Sequence, residues 1–270
     1  MRSPTLFSLL GASLVCAACA GLEPTAQETQ LKAAGEAQAQ AILPATQEER
    51  ALVENHDLLT QATFWGGEFE KNPADREAGV KLTKVLRRLG NQARAVEIAA
   101  QSLALHPNDP DLLLELSRAR IAAGDGFAAL EPLRRLAVQR PQDWQVSNLL
   151  GAANDQLGRH VVAREHYQRA LTLAPDEPAI LGNLGLSYLI EGQPEQAEVN
   201  LRRAVDSPNA PPHVRQNLAL AIALQGRFDE AELVAGEDVP PAIAAENIAY
   251  VRSLLTRPRR WDNLRPAANP

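Results

Sequence analysis

The side chains with chemistry to offer are five histidines, two cysteines and a scatter of carboxylates, and their spacing does not assemble a catalytic centre. His56, His106, His160, His166 and His213 stand far apart. His106 precedes a helix-ending proline and His160 follows a helix-ending glycine, so both read as turn or cap residues. His160 and His166 are six residues apart, a spacing that does not bring two imidazoles onto one face of a helix to share a metal. There is no G-x-S-x-G elbow, no H-E-x-x-H pair, no phosphate loop and no C-x-x-C. Gly66-Gly67 reads as a turn, and the many Asp and Glu residues are scattered over helix faces. The expectation is therefore a non-enzyme with no cofactor, no metal and no small-molecule substrate.

The cysteines point to an address. Arg2 precedes an apolar stretch, Leu6–Cys16, too short to span a membrane and of the length of a secretory signal core. It runs into Val15-Cys16-Ala17-Ala18-Cys19-Ala20. Two small residues directly before a cysteine resemble the lipobox of bacterial lipoproteins. That resemblance implies removal of residues 1–18 and acylation of Cys19. Cys16 does not fit, because Leu14-Val15 before it are bulky. The lipobox usually has Leu three residues before the modified cysteine, and here that position is Cys16. Cleavage after Ala18-Cys19-Ala20 is the alternative, and would release a soluble periplasmic protein. With cleavage before Cys19, the mature chain holds one cysteine, at its first position, and forms no internal disulfide. In the lipoprotein family an Asp after the cysteine marks inner-membrane retention. Ala20 stands there, which implies a lipid anchor at the periplasmic face of the outer membrane.

The body of the chain carries a period of 34 residues. Pro73, Pro107, Pro141 and Pro175 keep that step, as do Gly90, Gly124, Gly158, Gly192 and Gly226. Ala95, Ala129, Ala163, Ala197 and Ala231 form another register, and Leu82, Leu116, Leu150, Leu184 and Leu218 a fourth. The residue after each of these leucines is small: Thr83, Ser117, Gly151, Gly185, Ala219. Each period reads as two helices. In one unit the first helix covers roughly 145–157, with Leu150 as its buried knob and Gly151 permitting close approach. Gly158 ends it, since glycine takes the left-handed conformation without penalty. A second helix covers roughly 161–173, with Ala163 at the helix crossing, and Pro175 stops it. The pattern resembles the tetratricopeptide repeat family over residues 76–235. This implies an all-α, right-handed superhelical solenoid of about five repeats with a C-terminal capping helix. Arg120 and Asn154 stand where the family often has Tyr, and Ala99 and Ala235 replace a larger second-helix residue, so the end units are thinner.

The flanks divide accordingly. Residues 19–47, rich in Ala, Gln, Glu and Thr, read as a flexible tether or a partly helical cap. Residues 48–75 read as a helical cap or half-repeat covering the first unit, through Leu52, Leu58, Phe64, Trp65 and Phe69. Asp238-Val239-Pro240-Pro241 stops and restarts helix, and 236–257 contains a capping helix with Ile243, Ile248, Val251 and Leu255 near one face. Residues 258–270, with Trp261, read as a disordered tail. The 270 residues carry a formal charge of −6, with 45% hydrophobic and 4% aromatic residues. Mean hydropathy is −0.23, and no apolar run after residue 21 is long enough to span a membrane. The mild acidity argues against nucleic acid, and the pairs Arg87-Arg88, Arg134-Arg135 and Arg202-Arg203 read as solvated helix faces.

What remains is a surface for proteins. In the family that the repeats resemble, first helices line a concave groove, and the residue before the buried leucine faces it. Here that series is Lys81, Glu115, Leu149, Asn183 and Asn217. Three residues on lie Lys84, Arg118, Ala152, Leu186 and Leu220, with Arg87 a turn beyond Lys84. The groove is expected to be basic at its N-terminal end and apolar with amides toward its C-terminal end. An amide pairs with both the C=O and the N–H of an extended peptide. Signal peptide, lipobox, tether and repeats together resemble pilus-associated lipoproteins. Phe64-Trp65 through Asn72-Pro73-Ala74-Asp75, and Asp238-Val239-Pro240-Pro241 with Asn247 to Tyr250-Val251-Arg252, resemble the TadD family of the Tad (Flp) pilus machinery; the pilotins of type IVa pili are the alternative. The resemblance implies a role in assembling the pilus or localising its secretin. The partner would be that secretin or another Tad component.

Overall fold

The computed structural model describes residues 43–256. The chain divides into a unit over Met1–Ala45 and a compact unit over Thr46–Pro270. The described part of the second is thirteen helices without a strand: α1 (Gln47–Val53), α2 (Leu58–Lys71), α3 (Arg76–Arg88), α4 (Gln92–Leu105), α5 (Pro110–Ala122), α6 (Gly126–Gln139), α7 (Trp144–Gln156), α8 (His160–Leu173), α9 (Pro178–Ile190), α10 (Pro194–Val205), α11 (Pro212–Leu224), α12 (Phe228–Ala235) and α13 (Pro241–Thr256). Helices α3 to α12 pair into five units, matching the period of 34. Cys16, Cys19 and Trp261, and with them the signal peptide, most of the tether and the tail, lie outside the described residues.

Each unit is closed by local rules. Asp75, Asp109, Asp143 and Glu177 sit 34 residues apart and cap the first helices, each accepting a hydrogen bond from a backbone N–H of the first turn. The five spaced glycines all end a first helix with φ between 70° and 81°, conformations that a Cβ would strain. The next N–H then bonds back five residues, as in Asn91 to Leu86, Arg159 to Asn154 and Gln193 to Tyr188, all at 2.9 Å. This pairs carbonyls that the helix end would leave bare.

Packing follows from side-chain size. The crossing alanines Ala95, Ala129, Ala163, Ala197 and Ala231 are fully buried. Beside each crossing, the small residue of the first helix faces a residue of the second. A Cβ on Gly151 would lie 2.4 Å from the Tyr167 ring, and one on Gly185 would lie 2.5 Å from Leu201. The other three register pairs are Thr83 with Ala99, Ser117 with Leu133, and Ala219 with Ala235. The large second-helix residues Leu133, Tyr167 and Leu201 face Ser117, Gly151 and Gly185, Ala99 faces the larger Thr83, and the small pair Ala219 and Ala235 packs with Ala244. First helices of neighbouring units pack on one another, whereas second helices do not pack comparably. That difference in spacing curves the stack and leaves the first helices on its inner face.

The N-terminal pair α1 and α2 packs Val53, Trp65 and Phe69 against Ala78, Leu82, Val85 and Ile98 of the first unit. Among the described residues the first helix opens on the capping box Thr46–Glu49, two residues before the expected boundary. Arg50, 7% exposed, bonds Glu68 at 2.9 Å, Asp75 at 2.6 Å and Glu77 at 2.8 Å. Its guanidinium also lies over the Trp65 ring, 5.6 Å from the centroid. Gly66-Gly67 is not a turn: both residues lie inside α2. Burial of Trp65 and Phe69, with Asp57 as N-cap, outweighs the low helix propensity of glycine. At the other end α13 buries Ala244 and Ile248, with Val251 partly covered. The buried stripe therefore starts at Ala244 rather than Ile243, which is 45% exposed, as is Leu255 at 48%. Ala244 packs there against Ala219 and Ala235.

Candidate protein-binding face

The inner face is built from first helices, and its polar side chains are already partly committed to one another. At the N-terminal end Lys81 bonds Glu54 at 3.0 Å and stands 5.9 Å from the centroid of Trp65. Glu115, 4% exposed, is gripped from both sides, by Arg87 at 3.1 Å and by Arg118 at 2.6 Å. Arg118 also donates to Gln145 Oε1 of the next first helix at 2.6 Å. Lys84 is exposed and forms no ion pair among the described residues. Four cations of the anticipated basic end thus reduce to one without an internal partner.

The C-terminal half differs. Asn183 Nδ2 donates to Asn148 Oδ1 of the preceding unit at 3.0 Å, leaving its second N–H and its carbonyl oxygen for other bonds. Asn217 is half-buried and its side chain makes no hydrogen bond among the described residues. Leu186 is 39% exposed and Leu220 half-buried. These four residues bring together two amides and two apolar side chains on α9 and α11. Sequence reading did not single out Asn148, Gln145 or the buried role of Glu115. The signal for the first was a step of 35 between Asn148 and Asn183, one off the repeat period.

Behind this face, Asp155 ties units together. It accepts from Tyr167 Oη at 2.9 Å and from Ser187 Oγ of the next unit at 2.8 Å, and meets His160 Nδ1 at 2.9 Å. Burial, reinforced by the Asp155 charge, pushes the Tyr167 phenol above its usual range. Ser187 is oriented to Asp155 rather than to a histidine, so the cluster is not a nucleophile with its base. His106 Nε2 meets the Ala74 carbonyl at 2.9 Å, tying one inter-unit turn to the next. His166 lies half-buried on the outer side, where burial holds its imidazole below the usual range; Glu165 opposes the shift and Arg169 adds to it.

The basic pairs are only partly solvated: Arg88 and Arg134 are exposed without a bond among the described residues, whereas Arg87, Arg135, Arg202 and Arg203 have partners. Arg135, Arg169 and Arg203 are 34 apart, and each reaches back to the carbonyl of the turn proline one unit earlier: Pro107, Pro141 at 3.4 Å and Pro175 at 3.1 Å. Carbonyls freed at the helix ends draw these guanidinium groups, and the arginine period was visible in the sequence. Among the described residues there is no cluster of three metal-ligating side chains, and no helix is long and apolar enough to cross a membrane.

Comparison with known proteins agrees with this architecture. A tetratricopeptide repeat family model matches residues 114–178, from within α5 through the third helical pair to the start of α9. A thermophilic TPR protein of Thermus thermophilus, TTC0263, is 25% identical, with a TM-score of 0.57 over 67% of this chain and 99% of its own. The Cut9–Hcn1 assembly of the APC/C superposes with a TM-score of 0.59 at 14% identity, covering 88% of this chain and 50% of that one. MamA of Desulfovibrio magneticus RS-1 is 21% identical, with a TM-score of 0.50 over 58% of this chain and 89% of its own. No curated protein matches the sequence.

Proposed function

We propose that this tetratricopeptide repeat protein is a scaffold that is anchored through acylated Cys19 to the periplasmic face of the outer membrane. There it serves the assembly of a Tad or type IV-like pilus, or the localisation of its secretin. The fold itself makes it a protein-binding module, and the observation that carries the binding mode is on α9 and α11. Asn183 and Asn217 have amide valences left over, and share their helices with the apolar Leu186 and Leu220. An extended segment of the secretin, or of another Tad component, lies there with its backbone on the amides and its side chains on the leucines. The anchor rests on Ala17-Ala18-Cys19, and the pilus on the flanking segments around Phe64-Trp65 and Asp238–Pro241.

Two experiments test the reading. Mass spectrometry of the mature N-terminus is expected to find a diacylglyceryl-modified Cys19; an unmodified Gly21 start makes the protein a soluble periplasmic adaptor instead. Capture of the secretin from detergent-solubilised membranes is expected with the wild type and at least several-fold weaker with Asn183→Ala/Asn217→Ala. Equal capture by both removes the groove from the mechanism, and capture of no pilus component removes the pilus.

A further inference from the structure

A second polar site lies on the opposite side of the stack, between the second helices α6 and α8. Two adjoining clefts there, of about 270 and 350 Å³, meet at His166, and among the described residues no carboxylate lines either one. The larger is walled by Arg134 and Arg159 over Leu130, Leu150 and Val162. Neither arginine makes an ion pair or a side-chain hydrogen bond among the described residues. Two unopposed guanidinium groups over an apolar floor are unusual in a chain of net charge −6.

The repeat itself provides the comparison. Sixty-eight residues later, two full periods on, Arg202 and Arg227 occupy the same register positions as Arg134 and Arg159. There they are held by Glu198 and Glu230. Glu198 meets Arg202 at 2.6 Å and Arg227 at 2.7 Å, and Glu230 meets Arg202 at 2.6 Å and closes the square on Arg227. The positions of those two carboxylates correspond to Leu130 and Val162 in the α6–α8 cleft. The intervening copy has Gln168 and Gln193 in place of the arginines, and its charge pair is a different one, Arg164 at the register of Leu130 with Glu191 at 2.5 Å, to which Gln193 also donates. One copy of the site therefore contains its own carboxylates, and the other has apolar side chains at those positions beside both arginines.

We propose that Arg134 and Arg159 form a docking site for an acidic side chain of a partner protein. Its Glu or Asp takes the place that Glu198 and Glu230 hold in the later copy, and a neighbouring apolar side chain rests on Leu130, Val162 and Leu150. The charge complementarity is set by the unpaired guanidinium groups, and the apolar component by the substitution of Leu130 and Val162 for glutamate. The site is separate from the inner face and does not depend on the function proposed for it.

The test uses the full chain and a short blocked peptide of alternating leucine and glutamate, titrated calorimetrically at low salt. Saturable binding is expected. It weakens about tenfold or more in Arg134→Gln/Arg159→Gln, as loss of charge-assisted bonds requires. It weakens likewise in Val162→Glu, where the new carboxylate fills the site from within. Both sets of changes lie at exposed positions, and far-UV circular dichroism checks that the helices persist. Asn183→Ala/Asn217→Ala binds as the wild type does, which separates this site from the inner face. A leucine–glutamine peptide with blocked ends does not bind. The proposal is overturned if the wild type shows no saturable binding, if the arginine variant binds equally well, or if only a leucine–glutamine peptide with a free C-terminal carboxylate binds.

Discussion

Glycines of identical helix propensity have opposite expected effects in this protein, and the sign is set by what stands opposite each one. Gly151→Ala puts a methyl group 2.4, 2.6 and 2.8 Å from three ring atoms of Tyr167. That ring is buried, and its hydroxyl is tied to Asp155 at 2.9 Å, so it has little freedom to swing aside. Overpacking of this kind costs about 1–3 kcal/mol, and contacts this short place the cost at about 3. Replacing glycine by alanine within a helix returns about 1 kcal/mol. The net expectation is a loss of about 2 kcal/mol. Gly66→Ala and Gly67→Ala have nothing within 4 Å of the new atom and should each gain about 1 kcal/mol. Urea unfolding followed by circular dichroism measures the difference. Hydrogen exchange then locates it, because solenoids lose structure unit by unit. Tyr167→Leu in the Gly151→Ala background should recover part of the loss, since Leu133 already faces Ser117 at the equivalent place. The coupling energy is expected at about 1–2 kcal/mol. The size-matching account is refuted if Gly151→Ala stabilises the protein as much as Gly66→Ala does.

Three further outcomes follow from the polar contacts. Asp155→Ala leaves the buried hydroxyls of Tyr167 and Ser187 without their acceptor, so a loss of about 2–4 kcal/mol is expected; unchanged exchange protection in α8 and α9 would count against it. Burial opposes ionisation of Asp75, but the Arg50 bond wins and holds its carboxyl below the ordinary value of 3.8. A depressed carboxylate contributes its full stability above that value and loses it as the pH falls through the lower folded value. Trp65 fluorescence, read in a Trp144→Phe/Trp261→Phe background, should therefore report loosening of α1 and α2 below about pH 3.8; a signal flat until global unfolding would contradict this. Cys19→Ala should move the protein from the membrane to the soluble fraction with its helices intact, and continued membrane retention would remove the lipid anchor.

The five units were legible because each rests on local rules that repeat. A left-handed glycine, a crossing alanine and a turn proline act within a few residues of themselves, and the period of 34 multiplies the evidence. The misplaced elements depend on tertiary context. Gly66-Gly67 has turn composition, yet Trp65 and Phe69 on either side must be buried together, and only a helix puts both under the first unit. The register of α13 slipped from Ile243 to Ala244, which packs against Ala219 and Ala235 while Ile243 stays 45% exposed. Hydrophobicity patterns favour the larger residue and cannot see which neighbours the helix meets.

The inner face shows the same division between what a period reveals and what geometry adds. Position in the repeat correctly places Lys81, Arg87 and Arg118 on first helices, but not the fate of their charges. Glu115 occupies the same register as Lys81 and Asn183, and it turns inward where Arg118, one turn on, and Arg87 of the preceding first helix bracket it. A buried carboxylate with two guanidinium partners is satisfied, and those partners are committed to it. The same reasoning applied to the outer face gives the opposite answer. There Arg134 on α6 and Arg159 at the N-cap of α8 lack the carboxylates that hold Arg202 and Arg227. In a repeat protein the register of a charged residue fixes where it points, and the register of its neighbours decides whether that charge is spent on folding or left for a partner.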